Sequence, residues 1–297
     1  MYKVYLNDTI AESAVKRLKQ KVELVNNFDH PEELDAIIVR QQCCPKEVIE
    51  KAVKCRLIQM HGVGLERIDL KAAERCGIPV KNCPGGNSES VAELVLAMAL
   101  ALSRKLKFID KGLQKGQFGL PETVGSEITG KTIGLVGSGT IARLVEKKFK
   151  NGFDCKIKCY NDYLSPKEAQ DLGFEKVETL EQLVAQGDIV SVHAPLTAQT
   201  ENMFHRGIFD KANPDLIFIN TARGGIVDED ALYNALVQKK IKAAAMDVFK
   251  MQPPDPKNPL LALDNFIGTI HIGGSTKEAL ERNGNTVADN VFKVLGI

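Results

Sequence analysis

Two side chains in the second half of the chain are suited to binding an anion and to moving a proton. Arg223 lies shortly after an apolar run at 216–219 and precedes Gly224 and Gly225. Its planar guanidinium matches a carboxylate with two parallel hydrogen bonds, and the glycines beside it remove side chains that would crowd a ligand. His271 follows another apolar run and exchanges a proton near neutral pH. Together these residues predict a site that binds a carboxylate and moves a proton.

Both residues also have a plainer interpretation. An arginine after a strand usually makes a surface salt bridge, and a lone histidine beside an apolar strand is more often structural. Both nevertheless follow predicted strands of an open α/β sheet, where ligands bind outside the carboxyl ends. This position favours a functional role for both. His193 and His61 have weaker claims, the first as a residue that packs against a cofactor and the second as the start of a loop.

A glycine-rich turn at 137–142 predicts a dinucleotide site. An apolar, β-branched run at 132–136 leads into it, and apolar residues then recur at helical spacing. In such a strand–turn–helix, Gly137 allows the sharp turn, Gly139 lets the backbone approach a pyrophosphate, and Ala142 lets the helix pack on its strand. The amides at the helix N-terminus meet the phosphate charge. An ordinary glycine turn is the alternative, but the flanking strand and helix favour the dinucleotide site.

The end of the next predicted strand favours NAD over NADP. Asp162 lies roughly twenty residues past the glycine turn, where an acid accepts hydrogen bonds from the adenosine ribose. Asn161 competes for the same role, and no arginine follows immediately to pair with a 2′-phosphate. A simple turn at 161–162 is the alternative.

Alternating strands and helices must position all of these residues. Apolar runs bounded by turn formers alternate with helical spacing in both halves, which predicts an α/β fold with parallel sheets. A cluster of turn formers at 82–88 marks a first domain boundary, and 114–130, which has little periodicity, is predicted to be a surface excursion. Two further predictions concern single helices: Thr9 is expected to cap the first helix, and residues 276–294 are expected to form the last one.

Composition excludes several classes of protein. The formal net charge of +1 gives no electrostatic case for nucleic acid or an anionic membrane. The most apolar run, at 91–102, is too short to span a bilayer, and the N-terminus has no signal-peptide layout. The 7 cysteines are odd in number and scattered, which indicates a reduced, cytoplasmic protein without disulfides. We predict no metal site.

Seven motifs then occur in one order along the chain. They are H-G-V-G at 61–64, N-C-P-G-G-N-S-E-S-V-A-E-L at 82–94, G-L-V-G-S-G-T-I-A at 134–142, H-A-P-L-T at 193–197, N-T-A-R-G-G at 220–225, M-D-V-F at 246–249 and H-I-G-G-S-T at 271–276. With these motifs the chain resembles the D-isomer-specific 2-hydroxyacid dehydrogenases, especially the members similar to D-3-phosphoglycerate dehydrogenase. The first sixty residues contribute little beyond their α/β pattern and Val39-Arg40.

The resemblance implies two doubly wound parallel-sheet domains. Residues 98–274 would form a Rossmann NAD-binding domain, and 1–97 with 275–297 a smaller, discontinuous, flavodoxin-like substrate domain. The expected activity is hydride transfer between NAD(H) and C2 of a small D-2-hydroxy acid or 2-oxo acid, with 3-phosphoglycerate as one candidate. The expected assembly is a homodimer.

The resemblance also implies roles for individual residues. Arg223 would hold the substrate carboxylate and polarise its carbonyl, and His271 would act as acid and base. The backbone amides of Val63 and Gly64 would hold the carboxylate, and Arg40 is a candidate for a phosphate or second carboxylate. Asp247 would lie near the nicotinamide carboxamide. The residues predicted to contact NAD are Gly137, Ser138, Gly139, Thr140, Ile141, Asn161, Asp162, His193, Ala194, Pro195, Thr200, Thr221, Ala222, Asp247, Gly273 and Gly274.

The chain departs from the family pattern after D-V-F. Gln252 stands where the family usually has a glutamate that bonds the catalytic histidine. An amide still orients the ring, but it does not stabilise the protonated ring with a negative charge. We therefore expect carbonyl reduction to favour more acidic conditions than in relatives with the glutamate. The missing charge also motivates one alternative, an NAD-binding regulatory or sensor protein with little catalysis. An enzyme of the same fold with another donor, such as formate, ranks lower because the sequence has no signal of its own for it.

Overall fold

The computed structural model describes residues 1–119 and 121–297. Residue 120, in the predicted excursion at 114–130, lies outside the described residues. The chain divides into two compact units, 1–90 with 274–297, and 91–273. The sequence places the corresponding boundaries at 97/98 and 274/275.

The described residues form parallel strands and helices in alternation. The strands are β1 (Tyr2–Tyr5), β2 (Val22–Val25), β3 (Ala36–Val39), β4 (Ile58–Met60), β5 (Val80–Lys81), β6 (Thr132–Val136), β7 (Lys156–Tyr160), β8 (Glu175–Lys176), β9 (Ile189–Val192), β10 (Ile217–Asn220), β11 (Ala243–Met246) and β12 (Phe266–Gly268). The helices are α1 (Glu12–Lys19), α2 (Lys46–Lys51), α3 (Leu70–Arg75), α4 (Ser88–Ser103), α5 (Leu106–Gln114), α6 (Thr140–Phe153), α7 (Pro166–Asp171), α8 (Leu180–Gln186), α9 (Arg206–Phe209), α10 (Glu229–Val237) and α11 (Lys277–Leu295). Short 3₁₀ turns lie at Pro31–Glu33, Pro121–Thr123, Gly224–Ile226 and Pro259–Ala262.

The first unit is built on a five-stranded sheet in the order β2-β1-β3-β4-β5. All of its strand pairs are parallel, and the order is that of flavodoxin-like sheets. The apolar run of β3 is buried on both faces of the sheet. Ala36 and Ile38 belong to the core that includes residues of α1 and α11, whereas Ile37 and Val39 belong to the core that includes residues of α2 and α3.

The second unit is built on a seven-stranded parallel sheet in the order β12-β11-β10-β9-β6-β7-β8. The chain starts in the middle at β6, runs outward through β7 and β8, then returns to β9 and runs the other way. This is the doubly wound Rossmann order, with its switch point between β6 and β9. The predicted fold class is therefore confirmed, and the carboxyl ends of all seven strands lie along one edge of this sheet.

The structure corrects one local prediction and adds elements that the sequence pattern did not mark. Thr9 does not cap α1, whose N-cap is Ala11 with no side-chain capping bond. Residues 8 and 9 instead bind the segment that follows β3. The Asp8 carboxylate accepts hydrogen bonds from the backbone N–H groups of residues 40–42, and the Thr9 carbonyl accepts one from the Arg40 side chain. The helices α7 and α9 and the strand β8 were not predicted, since they are short.

Candidate active site

The glycine turn lies between β6 and α6, at the switch point of the second unit. Gly137 has φ +97°, and its N–H donates to the Tyr160 carbonyl at 2.9 Å. A Cβ on Gly137 would stand 3.1 Å from the backbone oxygen of His193, whereas one on Gly139 would meet no atom within 4 Å. Ala142 is fully buried in the core. The turn is therefore closed on its strand side at Gly137 and open at Gly139, the arrangement that a pyrophosphate requires.

The end of β7 lies beside this turn. Asn161 Nδ2 donates to Ser138 Oγ at 2.9 Å, and the Tyr160 hydroxyl donates to Asp162 Oδ2 at 3.0 Å. Burial, and then the Asp162 carboxylate, raise the pKa of Tyr160 to about 12. Both candidates for the ribose are thus held at the switch-point edge, with Asn161 bonded directly to the turn.

The ends of β9 and β10 present buried polar atoms along the same edge. His193 Nε2 and Thr221 Oγ1 are buried and have no hydrogen-bond partner among the described residues. Burial lowers the pKa of His193 to about 3, so its ring is neutral at ordinary pH. The Thr200 hydroxyl donates to the Pro195 carbonyl at 2.6 Å and folds this loop on itself. The open space at Gly139 and these unpartnered atoms fit a dinucleotide laid along the edge.

A histidine and a glutamine side chain form a pair beyond the ends of β11 and β12. Nδ1 of His271 lies 2.9 Å from Oε1 of Gln252. An amide oxygen only accepts hydrogen bonds, so Nδ1 carries the proton and Nε2 is the proton acceptor of the neutral ring. His271 has φ +59°, and its own N–H donates to the Asp247 carbonyl at 2.8 Å. The predicted contact between a side chain at 252 and the histidine is present, and it involves a neutral partner.

Asp247 holds the segment that carries His271, residues 269–273, which we call the His271 loop. Asp247 is 1% exposed, and its carboxylate accepts hydrogen bonds from Thr269 Oγ1 at 2.6 Å, from Ile272 N at 2.7 Å and from Gly273 N at 2.8 Å. Both carboxylate oxygens are therefore engaged by the loop. The contact with a nicotinamide carboxamide stays a prediction.

Arg223 follows β10 in a loop tied to that strand. The buried Asn220 accepts from Ala222 N at 3.0 Å and donates to the Arg223 carbonyl at 2.9 Å. A Cβ on Gly224 would stand 2.0 Å from the carbonyl carbon of Phe249, so glycine is required for the backbones to pack. From the sequence, Gly224 was expected to leave space for the substrate. In the structure that space is filled by the Phe249 backbone, which leads into residues 250–258. We call residues 250–258 the Gln252 loop.

The first unit presents its predicted residues at the ends of the neighbouring strands β3 and β4. Arg40 is half-buried, and burial lowers the pKa of its guanidinium. Its backbone N–H donates to Asp8 Oδ2 at 2.9 Å. The Val63 carbonyl accepts from Asn82 Nδ2 at 2.8 Å, in the loop that continues through Gly64. His61 does more than begin a loop: it is buried, and burial lowers its pKa to about 4.

Three residues that support the site were not selected from the sequence. Asn220 and Thr269 hold the ends of β10 and β12, and Glu229 contacts the Gln252 loop. Asn220 stands in N-T-A-R-G-G, where a polar residue closing an apolar strand was the available signal. Gly274, predicted to contact NAD, belongs to the first unit, where a Cβ on it would meet Asn87 Nδ2 at 3.0 Å.

Most of the second unit matches a known protein family. Residues 96–273 match the family described as D-isomer specific 2-hydroxyacid dehydrogenase, NAD binding domain. A D-3-phosphoglycerate dehydrogenase of Methanocaldococcus jannaschii is 38% identical over 99% of this chain, and the match spans 58% of that relative. A hydroxypyruvate reductase of Thermotoga maritima is 37% identical over 100% of this chain and 99% of that relative.

A solved structure shows the same fold over nearly the whole chain. A crystal structure of a Thermus thermophilus protein superimposes with a TM-score of 0.91 at 29% identity, covering 99% of this chain and 97% of that one. Within the described residues, none of the helices is both long enough and apolar enough to cross a membrane.

Proposed function

The chain belongs to the D-isomer-specific 2-hydroxyacid dehydrogenase family, and from this premise we propose that it oxidises the CH–OH group of a small D-2-hydroxy acid, or reduces the matching 2-oxo acid, with NAD(H). The observation that carries the proposal is the contact of 2.9 Å between His271 Nδ1 and Gln252 Oε1. This contact sets the tautomer in which Nε2 accepts a proton from an alcohol. Protonated His271 would return that proton to the oxygen of a reduced carbonyl.

Arg223 is proposed to bind the substrate. Its guanidinium would take the carboxylate with two parallel hydrogen bonds and withdraw charge from the neighbouring carbonyl oxygen. The loop that carries it is held by Asn220 and by the close packing of Gly224. In the first unit, the amides of Val63 and Gly64 and the guanidinium of Arg40 are proposed as further groups that bind anions.

The residues that would hold NAD line the carboxyl edge of the second unit. Gly137, Gly139 and the start of α6 would hold the pyrophosphate, and Asn161 or Asp162 the adenosine ribose. His193 and Thr221 have buried polar atoms that would pair with the nicotinamide half. When bound, NAD supplies the hydride acceptor at its nicotinamide ring.

The acid itself is proposed from the relatives. Those described above are named for 3-phosphoglycerate and hydroxypyruvate, so both acids and their 2-oxo or 2-hydroxy partners are candidates. The chain spans little more than half the length of the phosphoglycerate relative, at 58%, and nearly all of the hydroxypyruvate reductase, at 99%. We propose a cytoplasmic homodimer as the working assembly.

A sensor protein is the second candidate, because Gln252 lacks the charge of a glutamate. The retained Arg223, His271 and Asp247 favour the enzyme, since a sensor has no need to position a proton carrier. The test is NADH oxidation with phosphohydroxypyruvate, hydroxypyruvate, pyruvate and glyoxylate between about pH 5 and pH 9, a range that brackets histidine titration. Turnover with one preferred acid is expected. Tight NADH binding without turnover of any acid would support the sensor.

A further inference from the structure

The Gln252 loop is attached to the second unit by the carboxylate of Glu229. Glu229 Oε1 accepts from Lys250 N at 2.8 Å, and Oε2 accepts from Asn258 Nδ2 at 2.7 Å. One oxygen thus binds the start of the loop and the other binds its end. Between these points the loop is mostly exposed, with Met251 61% exposed, so few apolar contacts hold it.

Glu229 is placed for this contact by the start of α10. The helix is capped by Asp228, whose Oδ1 accepts from the N–H groups of residues 230 and 231, each at 3.1 Å. Glu229 is the first residue of the helix and is not the capping residue. Its half-buried side chain is therefore directed to the loop, while its acidic neighbour satisfies the helix.

The loop ends also define where the Gln252 amide stands. Lys250 is two residues from Gln252, and Asn258 Oδ1 in turn accepts from Leu260 N at 3.1 Å, where the next 3₁₀ turn begins. Gln252 Oε1 then meets His271 Nδ1 at 2.9 Å. The backbone of the Gln252 loop thus links the hydrogen bonds from Glu229 in α10 to the hydrogen bond between Gln252 and the ring of the proton carrier.

We propose that Glu229 is a positioning residue for the reaction, which fixes the Gln252 loop so that Gln252 Oε1 meets His271 Nδ1. The inference rests on the proposed function, because it gives His271 the task of proton transfer. A loop released from Glu229 no longer presents the amide oxygen at one place. The His271 ring then loses its bond at Nδ1 and its preference for the tautomer with Nε2 as acceptor.

The kinetic test compares two alanine variants in the same helical turn. Glu229→Ala removes both loop contacts, and Asp230→Ala removes an exposed acid one residue away that lies outside the loop contacts. We expect Glu229→Ala to lower kcat for 2-oxo acid reduction by up to about tenfold, since the ring stays in place and loses only its orienting bond, with KM for NADH unchanged. Asp230→Ala should match the wild type. Equal kcat in all three proteins would overturn the proposal.

A double variant separates positioning from a general loss of structure. If Glu229 acts through Gln252, adding Glu229→Ala to Gln252→Ala should cost no further activity, because both variants remove the same contact. Multiplying losses would show that Glu229 acts elsewhere and would overturn the proposal.

A readout without turnover keeps this inference distinct from the proposed function. The chain has 5 histidines, and ¹⁵N-labelled protein with a His271→Asn reference assigns the His271 ring. We expect the Nδ1–H tautomer in the wild type and in Asp230→Ala, and a shift toward Nε2–H in Glu229→Ala. An unchanged tautomer in Glu229→Ala would refute the positioning role even in an active enzyme. Absent turnover in a wild type with the expected tautomer would instead refute the proposed function alone.

Discussion

The His271 loop and the Gln252 loop meet at one hydrogen bond but are held in different ways. The His271 loop is bound by the buried carboxylate of Asp247 through three hydrogen bonds. The Gln252 loop is bound by the half-buried Glu229 through two, and most of its residues are exposed. Buried charge-assisted bonds are strong, and exposed ones are weakened by water. The proton carrier is therefore placed firmly, while its partner stands on the more adaptable loop, where the chain departs from the family pattern.

Substituting His271 and Gln252 in turn should give the largest difference in kcat between two variants. His271→Asn removes proton exchange and should lower kcat by on the order of 10²–10⁴. Gln252→Ala leaves the ring in place without its orienting bond and should cost only about tenfold, less than general acid–base catalysis as a whole. Steady-state NADH oxidation measures both. Equal losses would mean that the two residues act as one unit and would break the contrast between the loops.

Asp247→Asn should affect both stability and activity. The amide replaces an acceptor oxygen by a donor, so at least one loop N–H is left unsatisfied at a cost of about 1–3 kcal/mol. Because the His271 loop is then held less firmly, His271 should be displaced, and kcat should fall by roughly a hundredfold. Thermal unfolding and kcat measure the two effects. Wild-type values of both would show that the loop is held by other contacts.

Two glycine variants compare the close backbone packing at the start of the Gln252 loop with the open space at the glycine turn. Gly224→Ala places a Cβ against the chain that enters the Gln252 loop, and such overpacking costs about 1–3 kcal/mol. Gly139→Ala is the matched control, because its Cβ meets no described atom within 4 Å. It should leave the unfolding temperature nearly unchanged but weaken NADH binding, since the methyl group would stand in the pyrophosphate space. A loss of stability in Gly139→Ala together with weaker NADH binding in Gly224→Ala would refute the assignment of Gly224 to backbone packing and of Gly139 to the pyrophosphate site.

The sequence predicted what depends on neighbours along the chain. A β-branched run, two glycines and a small residue at 132–142 are enough to indicate a strand–turn–helix, and the structure has β6 and α6 there. Alternating elements likewise predicted parallel sheets. The resemblance to a family placed Gln252 near His271 before any distance was known.

Supporting contacts between distant residues could not be predicted in the same way. Asp247 joins residues 22 to 26 positions away, and Glu229 joins residues 21 and 29 positions away. Gly224 was assigned to substrate space because its true neighbour, the Phe249 backbone, is adjacent only in the fold. Such partners depend on strand order, which periodicity does not determine.

In this protein a neutral amide orients the proton carrier. We would test this role by measuring the pH dependence of kcat/KM for 2-oxo acid reduction in the wild type and in Gln252→Glu. A carboxylate at 252 would stabilise protonated His271. Reduction needs that protonated form, so the alkaline limb of the Gln252→Glu profile should lie at higher pH, by about one unit for each 1.4 kcal/mol of added stabilisation. Superimposable profiles would contradict the assignment of Gln252 as the partner of His271.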